Sequence, residues 1–251
     1  MNFAAHAMRA RNPGQQPALL LALLATAAGT DAPRVRVFDV GFKKTGTTSF
    51  SNACAMMSLR EVGLESKARL LRVEAAALAR QAAGTQTFFD IVDRYECFQD
   101  SPFTNPQLVP LLADRYASAK FVLTTRNGTA WAGSAMRWID HKHRDNPNYG
   151  AAFWRALGWR GDAPPSVADA AALLAAHDDG VRAYFAGRNE SRRLLELDFA
   201  RETDAAAFWT RLCDFVGLPG RCPCPPVPRS NALGGPARDE LGQPVGRRRR
   251  R

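Results

Sequence analysis

The chain has 251 residues, 46% hydrophobic and 23% charged. That is enough to bury one sizeable core, too little for two enzymatic domains, and too apolar for wholesale disorder. The formal net charge is +10, but five of those charges are the terminal arginines Arg247–Arg251, so the body is only mildly basic and charge alone assigns no partner.

Near the amino terminus, Arg9 and Arg11 precede the apolar stretch ALLLALLATAA, Ala18–Ala28, which is followed by Gly29 and Thr30. Basic residues, a short apolar core and small residues are the order of a secretory signal, and the run falls short of the about 20 apolar residues of a membrane span. Residues 1–33 therefore read as a leader, with a surface helix or an alanine-rich extension as the alternative. If it acts as a signal or anchor, the chain enters the secretory pathway, the Golgi lumen included, and can associate with membrane through the leader; otherwise it is cytoplasmic.

The strand–helix pattern starts at Val35–Val40, a short apolar β-branched run ended by glycine, as in a buried parallel strand. A helix follows over Thr47–Leu59, with Cys54, Met56 and Met57 as core residues. A second helix is expected over Ser66–Ala82, with Gly84 as its stop, and a third over Asn105–Tyr116. Ala119–Thr125, AKFVLTT, reads as the second strand; it passes through Arg126-Asn127-Gly128 into a helix starting near Thr129 that carries Trp131, Met136 and Trp138. The seven-residue spacing of the two tryptophans reads as core packing.

His141–Tyr149 is polar, contains Pro147 and reads as a loop. Ser166 opens a long alanine-rich helix to Gly187, Arg193–Phe199 is the third strand, and Asp204–Val216 is a closing helix stopped by Gly217 and Pro219. Strands alternating with helices predict a three-layer α/β/α domain with a central parallel sheet over residues 34–233, whose ligands bind at the carboxyl ends of the strands. Residues 234–251 form a basic tail. It could meet nucleic acid, acidic glycans or anionic lipid, or be a solvated end; no nucleic-acid partner is expected.

Five cysteines leave at least one thiol unpaired if disulfides form, Cys222-Pro223-Cys224 is an awkward local bridge, and no His/Cys set has zinc spacing, so no metal is expected.

The chemistry concentrates in GFKKTGTTSF, Gly41–Phe50. A nucleotide-binding loop of the kinase and GTPase type reads G-x-x-x-x-G-K-[ST]; Gly41 and Gly46 keep that frame, but Thr47 stands where the lysine belongs and Lys44 lies inside the loop. Between a strand end and a helix start, Lys43–Ser49 directs backbone N–H groups and the positive helix end at one point, an anion site. Thr45, Thr47, Thr48 and Ser49 add hydroxyl donors, and Lys44 adds a point charge. Threonines there could also serve only as caps.

KTGTTSF after an apolar strand resembles the 5′-phosphosulfate loop of sulfotransferases that use 3′-phosphoadenosine-5′-phosphosulfate (PAPS), in which a lysine precedes [TS]-G-T-T. FVLTTRNGTAWAGS is similar to the family's 3′-phosphate motif, with Arg126 at a strand end and Ser134 eight residues later on the next helix. DSPFTNPQLVPLLADRYASAKFVLTTRN, LLELDFA, GLP and VPRSNAL extend the likeness from about Val35 to Leu233. One departure is Ser49, where the cytosolic branch carries an aromatic that stacks on adenine.

The resemblance implies a fold like that of the P-loop nucleoside triphosphate hydrolases. It also implies PAPS as co-substrate, held by Lys43, Lys44, Thr45, Gly46, Thr47, Thr48, Ser49, Arg126 and Ser134. Transfer goes to a hydroxyl or amine on a small molecule or glycan, a carbohydrate if the chain is secreted. Lys44 would meet the charge developing on the leaving oxygen. The acceptor proton needs a base: Asp100, two residues before Pro102, is the first candidate because similar branches of the family have an acidic residue there, with Glu65, His141 and His143 as the others. Two other readings remain open, an ATP- or GTP-dependent kinase or switch of the P-loop type, and a binding module built on the basic tail.

Overall fold

A computed structural model describes residues 35–218, 222–223 and 225–229. The leader, the tail and Pro219 lie outside the described residues. Four parallel strands, β1 (Val37–Asp39), β2 (Cys97–Phe98), β3 (Lys120–Thr124) and β4 (Leu194–Leu197), form one sheet in the order β2-β1-β3-β4. Val37 pairs with both Cys97 and Lys120, and Phe121 with Leu194, which aligns the carboxyl ends of the strands along one edge.

Alternate strand residues point to opposite faces. Phe38, Phe98, Phe121 and Leu123 pack on one face against α2 (Leu64–Leu78), α3 (Ala82–Val92), α4 (Leu108–Arg115) and α7 (Val167–Gly187). Val37, Cys97, Val122 and Leu197 pack on the other against α1 (Thr47–Met56) and α8 (Ala205–Val216). The chain is thus an α/β domain with a central parallel sheet flanked by helices on both faces. A third cluster, beyond the strand ends, joins Phe42 to α5 (Gly128–His143), α6 (Tyr149–Ala156) and α7.

Local chemistry sets several boundaries. Asn127 caps α5 by accepting from Ala130 N–H at 3.1 Å, Ser166 and Asp169 form a reciprocal capping box on α7, and Asp204 caps α8. Gly217 ends α8 in the left-handed region, as expected for a helix stop.

Several expectations need correction. The second helix ends at Leu78, where Arg80 turns the chain at a positive φ of 54°. Gly84 is not a stop but lies inside α3. A Cβ there would overlap the Cβ of Ala76, so glycine is what lets α2 and α3 pack this closely. The expected loop His141–Tyr149 shrinks, because α5 runs to His143 and α6 begins at Tyr149. The strand β2 was not foreseen; two residues between polar neighbours carry no alternation to detect. Met56 is 43% exposed rather than core. Cys54, expected only as core, is also bonded to Cys97; Cys222 pairs with Cys213, in keeping with the awkward Cys222-Pro223-Cys224 spacing, and Cys224 lies outside the described residues.

Candidate active site

The loop between β1 and α1 sits at the carboxyl edge of the sheet. Helix α1 starts at Thr47 with Gly46 at its N-cap, no side-chain cap and no acidic residue in its first turn. Gly46 has φ 143°, and a Cβ would come within 2.9 Å of the Phe199 ring. At Gly41 a Cβ would overlap the carbonyl oxygen and hydroxyl of Thr124, so glycine is required where β1 leaves the sheet beside β3. Lys44 adopts φ 74°, a conformation unusual for a residue with a side chain and held by its surroundings.

Those surroundings come from the second motif. Arg126 Nη1 donates to the Lys44 carbonyl at 3.0 Å, and the Trp131 indole N–H donates to the Lys43 carbonyl at 2.8 Å. The Lys44 ammonium lies 4.3 Å from the centre of the Trp138 ring, which also carries Lys142 at 4.7 Å. Trp131 is fully buried and Trp138 half-buried, so the pair packs the core and also braces the loop.

Beneath the loop, a chain of short contacts starts at Asp39, which is completely buried. Asp39 Oδ1 accepts from Gly41 N–H at 3.0 Å and contacts the Thr124 hydroxyl at 3.0 Å; Thr124 lies 2.6 Å from the Thr45 hydroxyl, which donates to the Phe42 carbonyl at 2.6 Å. The Thr124 hydroxyl donates to Asp39 Oδ1, so Asp39 is an acceptor from both Gly41 and Thr124. Burial pushes the Asp39 pKa up to about 8 against the lowering effect of these hydrogen bonds, and the nearby Asp100 charge raises it further.

Phe42 is held from the other side by His177, whose ring stacks on it at 3.8 Å and whose Nε2–H donates to the Val40 carbonyl at 2.8 Å. Burial takes the His177 pKa down to about 4, which keeps it neutral.

Each expected site residue can now be placed. Lys43, Lys44, Thr45, Gly46, Thr47, Thr48 and Ser49 form the loop and the first turn of α1, with the Thr45 hydroxyl turned inward to Thr124 and Thr48 half-buried at the surface. Arg126 lies beside the loop, and Ser134 is half-buried two turns along α5. Asp100 follows β2, next to β1, with φ 63° and a buried Oδ1 that has no hydrogen-bond partner. Glu65 is exposed in the first turn of α2, and His141 and His143 are exposed in the last turn of α5, where His141 stacks on Trp138 at 5.8 Å.

Other site residues escaped the sequence reading. Arg137, three residues beyond Ser134 on α5, lies near enough to Arg126 that burial and the Arg137 charge together lower the Arg126 pKa, with Asp198 opposing. Its signal was the helical spacing from Ser134. The signal for Asp39 was a charged residue inside an apolar strand. Beside Lys43 and Ser101 a groove of about 470 Å³ opens between α2 and α6. Among the described residues no three His, Cys, Asp or Glu side chains converge as metal ligands, and no helix is long and apolar enough to cross a membrane.

The arrangement gathers an uncapped helix start with Lys44 and Arg126 at adjoining strand ends and Arg137 on the helix that follows, with the Asp100 side chain after the next strand and a groove alongside. It can bind a polyanion and place a second molecule beside it. No curated protein shows a sequence match to the chain. Residues 36–234 match the family described as sulfotransferase domain, and over that span, most of its length, the chain belongs to the sulfotransferase family.

Proposed function

We propose that the protein moves a sulfuryl group from PAPS to a hydroxyl or amine, and that its sheet and loop are a variant of the P-loop nucleoside triphosphate hydrolase fold. The observation that carries this reading is the contact of the two motifs: Arg126 grips the carbonyl of Lys44, so the loop and the strand-end arginine form one anion pocket. PAPS supplies the SO₃ group and departs as adenosine 3′,5′-bisphosphate.

Within this reading, the N–H groups at the start of α1 and the hydroxyls of Thr47 and Thr48 take the 5′ end, with Ser49 behind them. Lys44 neutralises charge that grows on the leaving oxygen, an effect worth about 3 kcal/mol for one preorganised donor. Arg126, Arg137 and Ser134 hold the 3′-phosphate, the guanidinium forks matching its oxygens. Thr45 fastens the loop to β3 rather than touching the nucleotide. Asp100 accepts the acceptor proton as the acceptor oxygen or nitrogen bonds to sulfur and the sulfur–phosphate oxygen bond breaks. The two disulfides suit an oxidising compartment, which supports entry into the secretory pathway.

Calorimetric titration of the full chain with adenosine 3′,5′-bisphosphate, adenosine 5′-phosphate and ATP tests the donor. The 3′-phosphorylated nucleotide should bind at least about tenfold more tightly than adenosine 5′-phosphate, and Arg126→Ala should erase the difference. Magnesium-dependent transfer from ATP, with no preference for the 3′-phosphate, would replace this reading with a kinase.

A further inference from the structure

We infer that the groove between α2 and α6 is the acceptor site, and that it takes a neutral alcohol or phenol with a mainly apolar body rather than an anionic polysaccharide. The inference rests on the sulfuryl-transfer reading and adds the substrate class to it.

Position comes first. The groove of about 470 Å³ ends at Lys43, the neighbour of Lys44, and at Ser101-Pro102, directly after Asp100. A molecule lying in it touches the chain neighbours of Lys44 and of Asp100, which brings it beside the loop and the candidate base. The size is within the usual range for small-molecule pockets.

The walls then select the body of the ligand. Leu71, Ala75 and Leu78 of α2 face Ala152, Phe153 and Ala156 of α6 across the groove, and Leu71 is left 48% exposed. Such an apolar side chain gains most from an apolar partner. Among the polar lining side chains, Glu74, Asn105 and Tyr149 already carry bonds within the protein. Asn105 donates to Glu74 at 2.7 Å and accepts from Gln107 N–H at 3.0 Å, and the Tyr149 hydroxyl accepts from the Trp138 indole at 3.0 Å. A sugar ring needs several partners for its hydroxyls, and burying them unpaired is costly.

Charge points the same way. The two charged lining residues, Lys43 and Glu74, are opposite in sign, whereas Lys44, Arg126, Arg137 and Lys142 are not part of the lining. A polyanion would meet one lysine and a carboxyl rather than a basic track. Burial raises the pKa of Glu74 above its ordinary value, against the Asn105 hydrogen bond.

The test uses the full chain loaded with adenosine 3′,5′-bisphosphate for binding and with radiolabelled PAPS for transfer. 1-Naphthol should bind the loaded protein, and transfer to naphthol and to a long-chain primary alcohol should exceed transfer to heparan sulfate and chondroitin by at least about tenfold in kcat/KM. Ala152→Trp and Ala75→Trp, both at exposed positions, should fill the groove and weaken naphthol binding about tenfold or more, leaving bisphosphate affinity within about twofold. Leu71→Glu should act in the same direction. The inference is overturned if naphthol does not bind protein that holds the bisphosphate normally, if the glycans are the better acceptors, or if neither tryptophan variant affects acceptor binding. Loss of bisphosphate binding by the unmodified chain would instead overturn the donor reading.

Discussion

Arg126 donates to the carbonyl oxygen of Lys44 across a separation of 82 residues, at 3.0 Å. The strand-end arginine therefore also shapes the loop that holds the lysine. Arg126→Ala should lower nucleotide affinity and turnover together. Arg126→Lys should restore charge but not the fork, and recover less than a tenth of the affinity, about 1.4 kcal/mol short of the parent. Titration of adenosine 3′,5′-bisphosphate beside single-turnover rates separates the two losses. Loss of affinity with an unchanged single-turnover rate at saturation would show that the bond to the loop is idle.

Lys44→Ala should behave differently. Removing a point charge that matters most as the leaving oxygen gains charge should cut kcat by about 100-fold or more while KM for PAPS moves little. Steady-state kinetics with a saturating acceptor checks this. Equal losses in binding and turnover would make Lys44 a mere anchor.

The burial of Asp39 beneath the loop predicts a pH dependence. Asp39 is raised from 3.8 in the unfolded chain to about 8 in the fold, so the unfolded state carries fewer protons between these values. The stability it contributes is complete below the lower value and is lost as pH rises towards the upper one. Asp39→Asn, which cannot ionise, should flatten the fall in Tm between about pH 5 and 8. An unchanged slope in thermal scans would mean Asp39 is ionised throughout.

Gly84→Ala would raise helix propensity at an internal position of α3, by about 1 kcal/mol in an exposed helix. The added methyl would overlap Ala76, and both atoms sit on rigid helices, so overpacking should dominate. A net destabilisation of about 1–3 kcal/mol is expected in urea unfolding. A stabilised variant would show that α2 and α3 can part without cost.

The Cys54–Cys97 bond ties α1, which carries the loop, to β2, which leads to Asp100. Replacing both cysteines by alanine should cost about 2–5 kcal/mol and lower turnover as well, because loop and base lose their common anchor. Denaturation and kinetics on the double variant measure both; stability lost with full turnover would leave the bond a purely global staple.

The sequence alone determined what depends on near neighbours. The loop with its glycines and lysine spans ten residues, Arg126 and Ser134 are set by a strand end and two helical turns, and the caps Asn127, Ser166 and Asp204 act within three residues. Backbone conformation and hydrogen-bond supply at that range follow from residue type, so the alternation of strands and helices and the strand–loop–helix unit around Lys44 were legible.

Only the tertiary structure decided the rest. Asp39 looks like one more strand residue until β3 brings Thr124 against it and β2 brings Asp100 near. Gly84 reads as a stop until Ala76 lies under it, and β2 exists because β1 supplies its hydrogen bonds. The acceptor groove is lined by α2, α6 and the loops at Lys43 and Ser101, segments far apart in sequence. Desolvation, steric overlap and strand pairing depend on which atoms meet in space, and no local pattern records that.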